Sequence, residues 1–267
     1  MHYFKDKIHT LDLSYSDISD NSLRILLQNI GNVNTLNLSH CQNITNVSVL
    51  GEVNTLSLYK CQNITNVSAL GEVETLNLSK TTVNDVSNLV NVIDLDLTNC
   101  NEIDIESLIT LSTKNKVLKS LYLDEIEGID DVTLNTLINN FKNLSTLSLN
   151  GCKNIVNVSS LGGLDTLYLS YTNINDVNVL GEVRNLYLNG CKNINDVSNL
   201  GTVSNLHLQE CDGINDVSSL GEVHTLDLSY TNIEDVSSLG GVHNLYLRNC
   251  YNVKDVSMLN KVPNLIK

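Results

Sequence analysis

The sequence predicts an α/β solenoid with a parallel β-sheet along its inner face, mostly short non-helical segments on its outer face, about three helical inserts and weak curvature. Three observations carry this. The eight residues CQNITNVS occupy positions 41–48 and recur unchanged at 61–68. Around them an apolar-x-x-Leu-x-Leu-x-x-Cys/Thr frame repeats, with Leu36, Leu56 and Leu76 at intervals of twenty residues. The frame extends back to Leu11 and on through Leu95, Leu121, Leu147, Leu167, Leu186, Leu206, Leu226 and Leu245 to Leu265. Self-similarity at such a period is the signature of stacked coils, each packing only on its neighbours. Residues 1–267 therefore read as one repeat domain of about 12 coils with a truncated C-terminal coil.

Within a coil, Val53-Asn-Thr-Leu56-Ser-Leu58 alternates apolar and polar residues, the period of a strand buried on one side. Leu56 and Leu58 are expected to point inward, and Cys61, Ile64, Val67 and Leu70 to return apolar groups to the same interior before Gly71 lets the backbone reverse. Stacked strands about 4.8 Å apart would pair as a parallel sheet. Where the position after the strand is Cys, the next apolar residue lies three places on, as from Cys191 to Ile194. Where it is Thr, as at Thr172 and Thr231, it lies two places on. The Thr coils are one residue shorter, which implies a tighter turn whose backbone is satisfied by the hydroxyl and a wider one filled by a small apolar thiol.

Three intervals are longer than the rest. Leu23, Leu26, Leu27 and Ile30 follow helical spacing in the first, as do Leu134, Leu137, Ile138 and Phe141 in the last. The insert around Ile105, Leu108 and Ile109 is less regular.

All seven cysteines (Cys41, Cys61, Cys100, Cys152, Cys191, Cys211 and Cys250) hold the same frame position, so they read as a column of reduced core residues. The opening MHYFKDKIHT lacks the apolar core of a signal peptide, and no run is long enough to span a bilayer, so a cytoplasmic (intracellular) address is expected. A formal charge of −14 disfavours nucleic acid and anionic membranes as partners. Much of the acid recurs in the frame, as Asp196, Asp216, Asp235 and Asp255 before Val-Ser and as Glu52, Glu72, Glu182 and Glu222 after Leu-Gly, which predicts a solvated acidic stripe on the outer face.

Leu-x-x-Leu-x-Leu-x-x-Cys resembles the leucine-rich repeat, and Leu147-Ser-Leu149-Asn-Gly-Cys152-Lys-Asn-Ile155 is similar to its cysteine-containing subclass. The Asp-Val-Ser-x-Leu segment is similar to that of internalin-type repeats, whose units are somewhat longer. Heavy use of Asn and Ile in near-identical copies resembles repeat proteins of protists and giant viruses. The resemblance implies recognition of a protein partner on the inner face, with no reaction and no cofactor.

The outward strand positions form columns along that face. One runs from Asp12 through Asn37, Ser57, Asn77, Asp96, Tyr122 and Ser148 to Tyr168, Tyr187, His207, Asp227 and Tyr246, and grows aromatic in its second half. Flanking columns add Tyr59 and Arg248, then Tyr15, Tyr171 and Tyr230, so eight of ten tyrosines map to one surface, Tyr3 and Tyr251 excepted. Tyr supplies contact area at low entropy cost, which suits binding, and it also suits a strand. The partner-binding candidates are Tyr122, Tyr168, Tyr171, Tyr187, His207, Asp227, Tyr230, Tyr246 and Arg248. His207 and Asp227 on adjacent rungs have a geometry for acid–base chemistry, yet no nucleophile or pocket accompanies them, so an exposed polar pair and a non-enzymatic protein are expected. Asp94, Asp96, Asp124 and Glu125 come near one another but lack a coordinating loop, so no metal is expected. The leading expectation is a protein-binding scaffold. The alternative is a structural protein that stacks through its ends, with self-association through the last coil around Leu259, Val262 and Leu265.

Overall fold

In every coil but the last the two frame leucines flank one polar or aromatic residue, and a three-residue strand takes in the first leucine and the residue on either side of it. The computed structural model describes residues 9–267 in two compact units, the first running through Ile126 together with Thr136–Leu144, the second comprising Glu127–Asn135 with Ser145–Lys267. Tyr3 and most of the opening segment considered above lie outside the described residues. The first unit holds β1 (Thr10–Asp12), β2 (Thr35–Asn37), β3 (Thr55–Ser57), β4 (Thr75–Asn77), β5 (Asp94–Asp96) and β6 (Ser120–Tyr122). Each is parallel to the next with leucine opposite leucine, Leu36 against Leu56 and Leu56 against Leu76. The second holds β7 (Thr146–Ser148), β8 (Thr166–Tyr168), β9 (Asn185–Tyr187), β10 (Asn205–His207), β11 (Thr225–Asp227), β12 (Asn244–Tyr246) and β13 (Asn264–Ile266), in the same register. Helices α1 (Asp20–Ile30), α2 (Ile105–Lys114) and α3 (Asp131–Asn140) occupy the three long intervals, the less regular middle one included. Elsewhere among the described residues the outer segment is at most a short 310 turn, such as Ser198–Leu200 and Ser218–Leu220. This is the α/β solenoid that the repeat pattern predicts.

Each coil reverses through one backbone device. The residue just before the Cys/Thr position has φ near +60°, as at His40 (63°), Lys60 (59°), Tyr171 (60°) and Tyr230 (61°), and glycine takes the place at Gly151 and Gly190. Its amide donates to the following coil, His40 to the Tyr59 carbonyl at 2.8 Å and Tyr171 to that of Asn189 at 2.7 Å, so the ladder holds the corner in a conformation that L-residues enter reluctantly. Gly71, expected to be the reversal point, has an ordinary φ of −63°. A Cβ there would lie 2.5 Å from the Asn88 carbonyl oxygen of the next coil, so glycine is needed for close stacking rather than for a special dihedral.

The cysteine column is buried and entirely free thiol. Cys61, Cys100, Cys191 and Cys211 each donate to a leucine carbonyl of the coil before, Cys211 to Leu188 at 3.1 Å, so the thiol is a hydrogen-bond donor as well as the expected filler. In the short coils the Thr hydroxyl donates within its own coil, Thr172 to Leu169 at 2.7 Å, and Cys191 shares that carbonyl from the next coil. Burial pushes the Cys61 and Cys211 thiols up to about 11 and about 12. Such thiols are inert nucleophiles.

Asparagines bind coil to coil on the turn side. Asn63 Nδ2 donates to the Gln42 carbonyl at 2.7 Å and Asn173 to that of Lys153 at 2.7 Å, which explains why an asparagine recurs before the turn isoleucine.

The aspartates of the acidic stripe are exposed, as expected, and they also cap backbone. Asp85, Asp196, Asp216, Asp235 and Asp255 each accept the amide of the serine two residues on at 2.8–2.9 Å, and Asn46, Asn66 and Asn157 do the same without charge. The serine amide, then its hydroxyl, hold all five carboxyls below the usual range. Groups that titrate lower folded than unfolded stabilise above the unfolded value of about 3.9, and that contribution is lost as pH falls through the depressed range. Joint replacement of the five by Asn is expected to keep the cap and remove the titration. In urea unfolding at pH 7 and pH 3, the variant should lose less stability than wild type on acidification. Equal losses would mean that these caps do not govern acid sensitivity.

Candidate functional site

At the last residue of each strand the side chain stands outward between two buried leucines, and the parallel register sets equivalent side chains one rung apart. In the second unit this places Tyr168 opposite Tyr187, Tyr187 opposite His207, His207 opposite Asp227 and Asp227 opposite Tyr246. Three rings then form one stack, with Tyr168 and Tyr187 centroids 4.4 Å apart at 12° and Tyr187 and His207 4.5 Å apart at 13°. Stacked rings hide their faces against one another, and all three are half-buried.

An aromatic residue at this position removes a service that a polar one performs. Asn37, Asn77 and Asp96 each cap the amide two residues on, as in Ser79 to Asn77 Oδ1 at 2.9 Å. Tyr and His have no oxygen placed for this. The Ser170 amide instead reaches Asn150 Oδ1 of the preceding coil at 2.8 Å, and that of Gln209 reaches Asn189 Oδ1 at 3.1 Å. The asparagines at 150 and 189 thus accompany the aromatic positions for a backbone reason.

Asp227 differs from its exposed expectation. It is 6% exposed, caps the Ser229 amide at 2.9 Å and accepts Gln209 Nε2. Burial pushes His207 below its ordinary value and Asp227 opposes this, so the imidazole is predominantly neutral at pH 7. With its carboxylate already engaged, the His207 and Asp227 pair extends the ladder as a polar step between Tyr187 and Tyr246.

Beside this column Tyr171 and Tyr230 stand at the positive-φ corners, 49% and 54% exposed, and Arg248 is exposed. The Tyr171 ring lies over Gly190, where a Cβ would sit 2.4 Å from it. Tyr122 belongs to the first unit, where burial and the nearby Asp94, Asp96 and Asp124 push its phenol up. It is thus set among three carboxylates. Among the described residues no group of three or more His, Cys, Asp or Glu side chains converges as for a metal ion, and no helix is long and apolar enough to cross a membrane.

Sequence reasoning missed two further ladders on the strand-start side of the second unit. His224 and His243 stack at 4.8 Å and 9°. Asn205 Nδ2 donates to Asn185 Oδ1 at 2.6 Å, and Asn264 to Asn244 at 2.7 Å. The signal was present, since Val-His-Thr-Leu and Val-His-Asn-Leu hold equivalent frame positions.

No family model matches the sequence, and no curated protein does. Solved structures do match. An internalin (inlF) from Listeria monocytogenes is 18% identical over 98% of this chain and 87% of its own, with a TM-score of 0.66. The functional domain of InlJ from the same organism, which includes a cysteine ladder, is 20% identical over 93% of this chain and 67% of its own, at 0.53. An internalin C2 (inlC2), also from L. monocytogenes, is 22% identical over 79% and 87%, at 0.50. At these identities the likeness is one of architecture, and the chain has the leucine-rich-repeat fold that those structures share.

Proposed function

We propose that the chain is a non-enzymatic protein-binding scaffold that holds its partner along the inner face of the second unit. Tyr168, Tyr187, His207, Asp227 and Tyr246 form the central strip, with Tyr171, Tyr230 and Arg248 beside it, and Tyr122 offers similar contact chemistry in the first unit. The observation that carries this reading is the preformed stack Tyr168–Tyr187–His207. Rings already fixed by their neighbours lose little rotamer freedom on binding, and their hydroxyl edges give direction to a contact that is otherwise apolar. A cytoplasmic setting fits seven buried free thiols, which a reducing compartment preserves.

Tyr168→Ala, Tyr187→Ala and Tyr246→Ala are expected to leave the fold intact, because the leucines beneath them carry the core. Each anchoring ring should contribute about 2 kcal/mol of binding, roughly thirtyfold in affinity. Capture from a lysate of the native cell, with wild type, the triple variant and Asn37→Ala with Ser57→Ala side by side, should show the wild-type partner lost only from the triple variant. Undiminished capture by a folded triple variant would remove this face as the principal site.

A further inference from the structure

The first unit carries a second, chemically different surface at the corner where each strand ends. Tyr15 and His40 stack at 4.1 Å and 16°, His40 meets Tyr59 edge-on at 5.2 Å, and Lys60 Nζ lies 5.3 Å from the centre of the Tyr59 ring. Tyr15 is 74% exposed, Lys60 is half-buried, and the exposed Lys80 continues the column on the next coil. Tyr15, His40, Lys60 and Lys80 all occupy the positive-φ corner, at 59°, 63°, 59° and 59°, the position that Gly151 and Gly190 fill elsewhere without strain.

Charge is segregated around this corner. From Asn37 to Asn43, Ser57 to Asn63 and Asn77 to Thr82 there is no Asp or Glu, although the chain carries a net −14. The acids of these three coils, Glu52, Glu72, Glu74 and Asp85, lie at the strand start and on the outer turn. In the first coil, by contrast, the exposed Asp12 and Asp17 flank Tyr15, so the acid-free stretch of the corner runs from His40 to Lys80. Neither Lys60 nor Lys80 is paired with a carboxylate among the described residues. Successive coils stand about 4.8 Å apart, so the two ammonium groups are within reach of one carboxylate or of two neighbouring ones.

From these observations we infer that the Tyr15–His40–Tyr59–Lys60–Lys80 corner is a second interaction surface, which docks an acidic peptide segment of a partner protein. Carboxylates of the segment meet Lys60 and Lys80, and its aliphatic or aromatic side chains lie on the Tyr15 and Tyr59 rings. Charge complementarity selects this occupant. A nucleic acid would present phosphates along its whole length, and beyond these two lysines it would meet an acidic molecule. A short acidic segment needs only the local cations.

A fluorescein-labelled oligoglutamate peptide at low ionic strength is the probe, read by fluorescence anisotropy. Because the whole chain repels polyanions, binding reports the local patch. Wild type is expected to bind and to release the peptide as salt rises. Lys60→Gln with Lys80→Gln removes charge at an unchanged backbone position and should weaken binding about tenfold. Tyr15→Ala with Tyr59→Ala should weaken it measurably, and Tyr168→Ala with Tyr187→Ala should not, which separates this surface from the inner-face strip. No binding by wild type, or binding indifferent to the lysine pair, would overturn the inference. So would tighter binding of an oligouridylate of equal length through the same two lysines, which would make the occupant a nucleic acid.

Discussion

Asn115→Leu is expected to unfold the first unit far more readily than any surface change in the same helix. Asn115 is fully buried at the end of α2, and its side chain makes four hydrogen bonds to backbone. Nδ2 donates to the Leu89 carbonyl at 2.9 Å and the Val92 carbonyl at 2.8 Å, and Oδ1 accepts the amides of Val117 and Leu118, each at 2.9 Å. Leucine fills much of the same volume and satisfies none of these groups. Each buried backbone group left without a partner costs about 1–3 kcal/mol, so a loss on the order of 4 kcal/mol or more follows. Urea unfolding measures the total. Hydrogen exchange at Val117 and Leu118 tests the cause, because these two amides should lose protection first. Thr113→Ala, an exposed change on the same helix, should stay near wild type. A wild-type midpoint for Asn115→Leu would show that water or rearranged backbone replaces the amide.

The second large effect concerns stacking. Gly181, Gly201 and Gly221 follow the last leucine of their coils, and a Cβ on each would fall 2.3, 2.3 and 2.5 Å from a carbonyl oxygen of the next coil. The obstructing atom is backbone in the neighbouring 310 turn, so no side chain can rotate away. Gly201→Ala must push two coils apart, at about 1–3 kcal/mol for overpacking, and Gly201→Val should cost more. Gly163 is the internal control, with nothing within 4 Å of its Cβ. Gly163→Ala should be neutral or slightly stabilising, since alanine narrows the unfolded ensemble. Thermal unfolding of the two alanine variants side by side decides the matter, and equal midpoints would refute the stacking constraint.

The recurrence of Leu-Gly marks the position as special, and the sequence alone suggests a backbone reversal at Gly71. Its φ of −63° is ordinary, and the true reversal falls on residues such as His40, Lys60 and Tyr171. Nothing in those side chains announces positive φ. The amide ladder from the following coil imposes it, and a ladder exists only after stacking.

By itself the sequence determined the repeat, and with it the strands, the leucine register, the three helices and the cysteine column. Those features depend on periodicity: a period of two for a strand, near 3.6 for a helix, and about twenty for the coil. It also placed Tyr168, Tyr187 and His207 in one column, because equal frame positions must stack. Tertiary structure alone decided what that column became. Parallel rings 4.4 and 4.5 Å apart, a buried Asp227 taken up by Ser229 and Gln209, and Asn150 and Asn189 capping amides on the coil that follows are relations between coils. The four bonds of Asn115 and the cation-bearing corner at Lys60 and Lys80 belong to the same class. Periodicity assigns a residue to a face, whereas hydrogen bonding and burial depend on which atoms of the neighbouring coil come within about 3 Å of it.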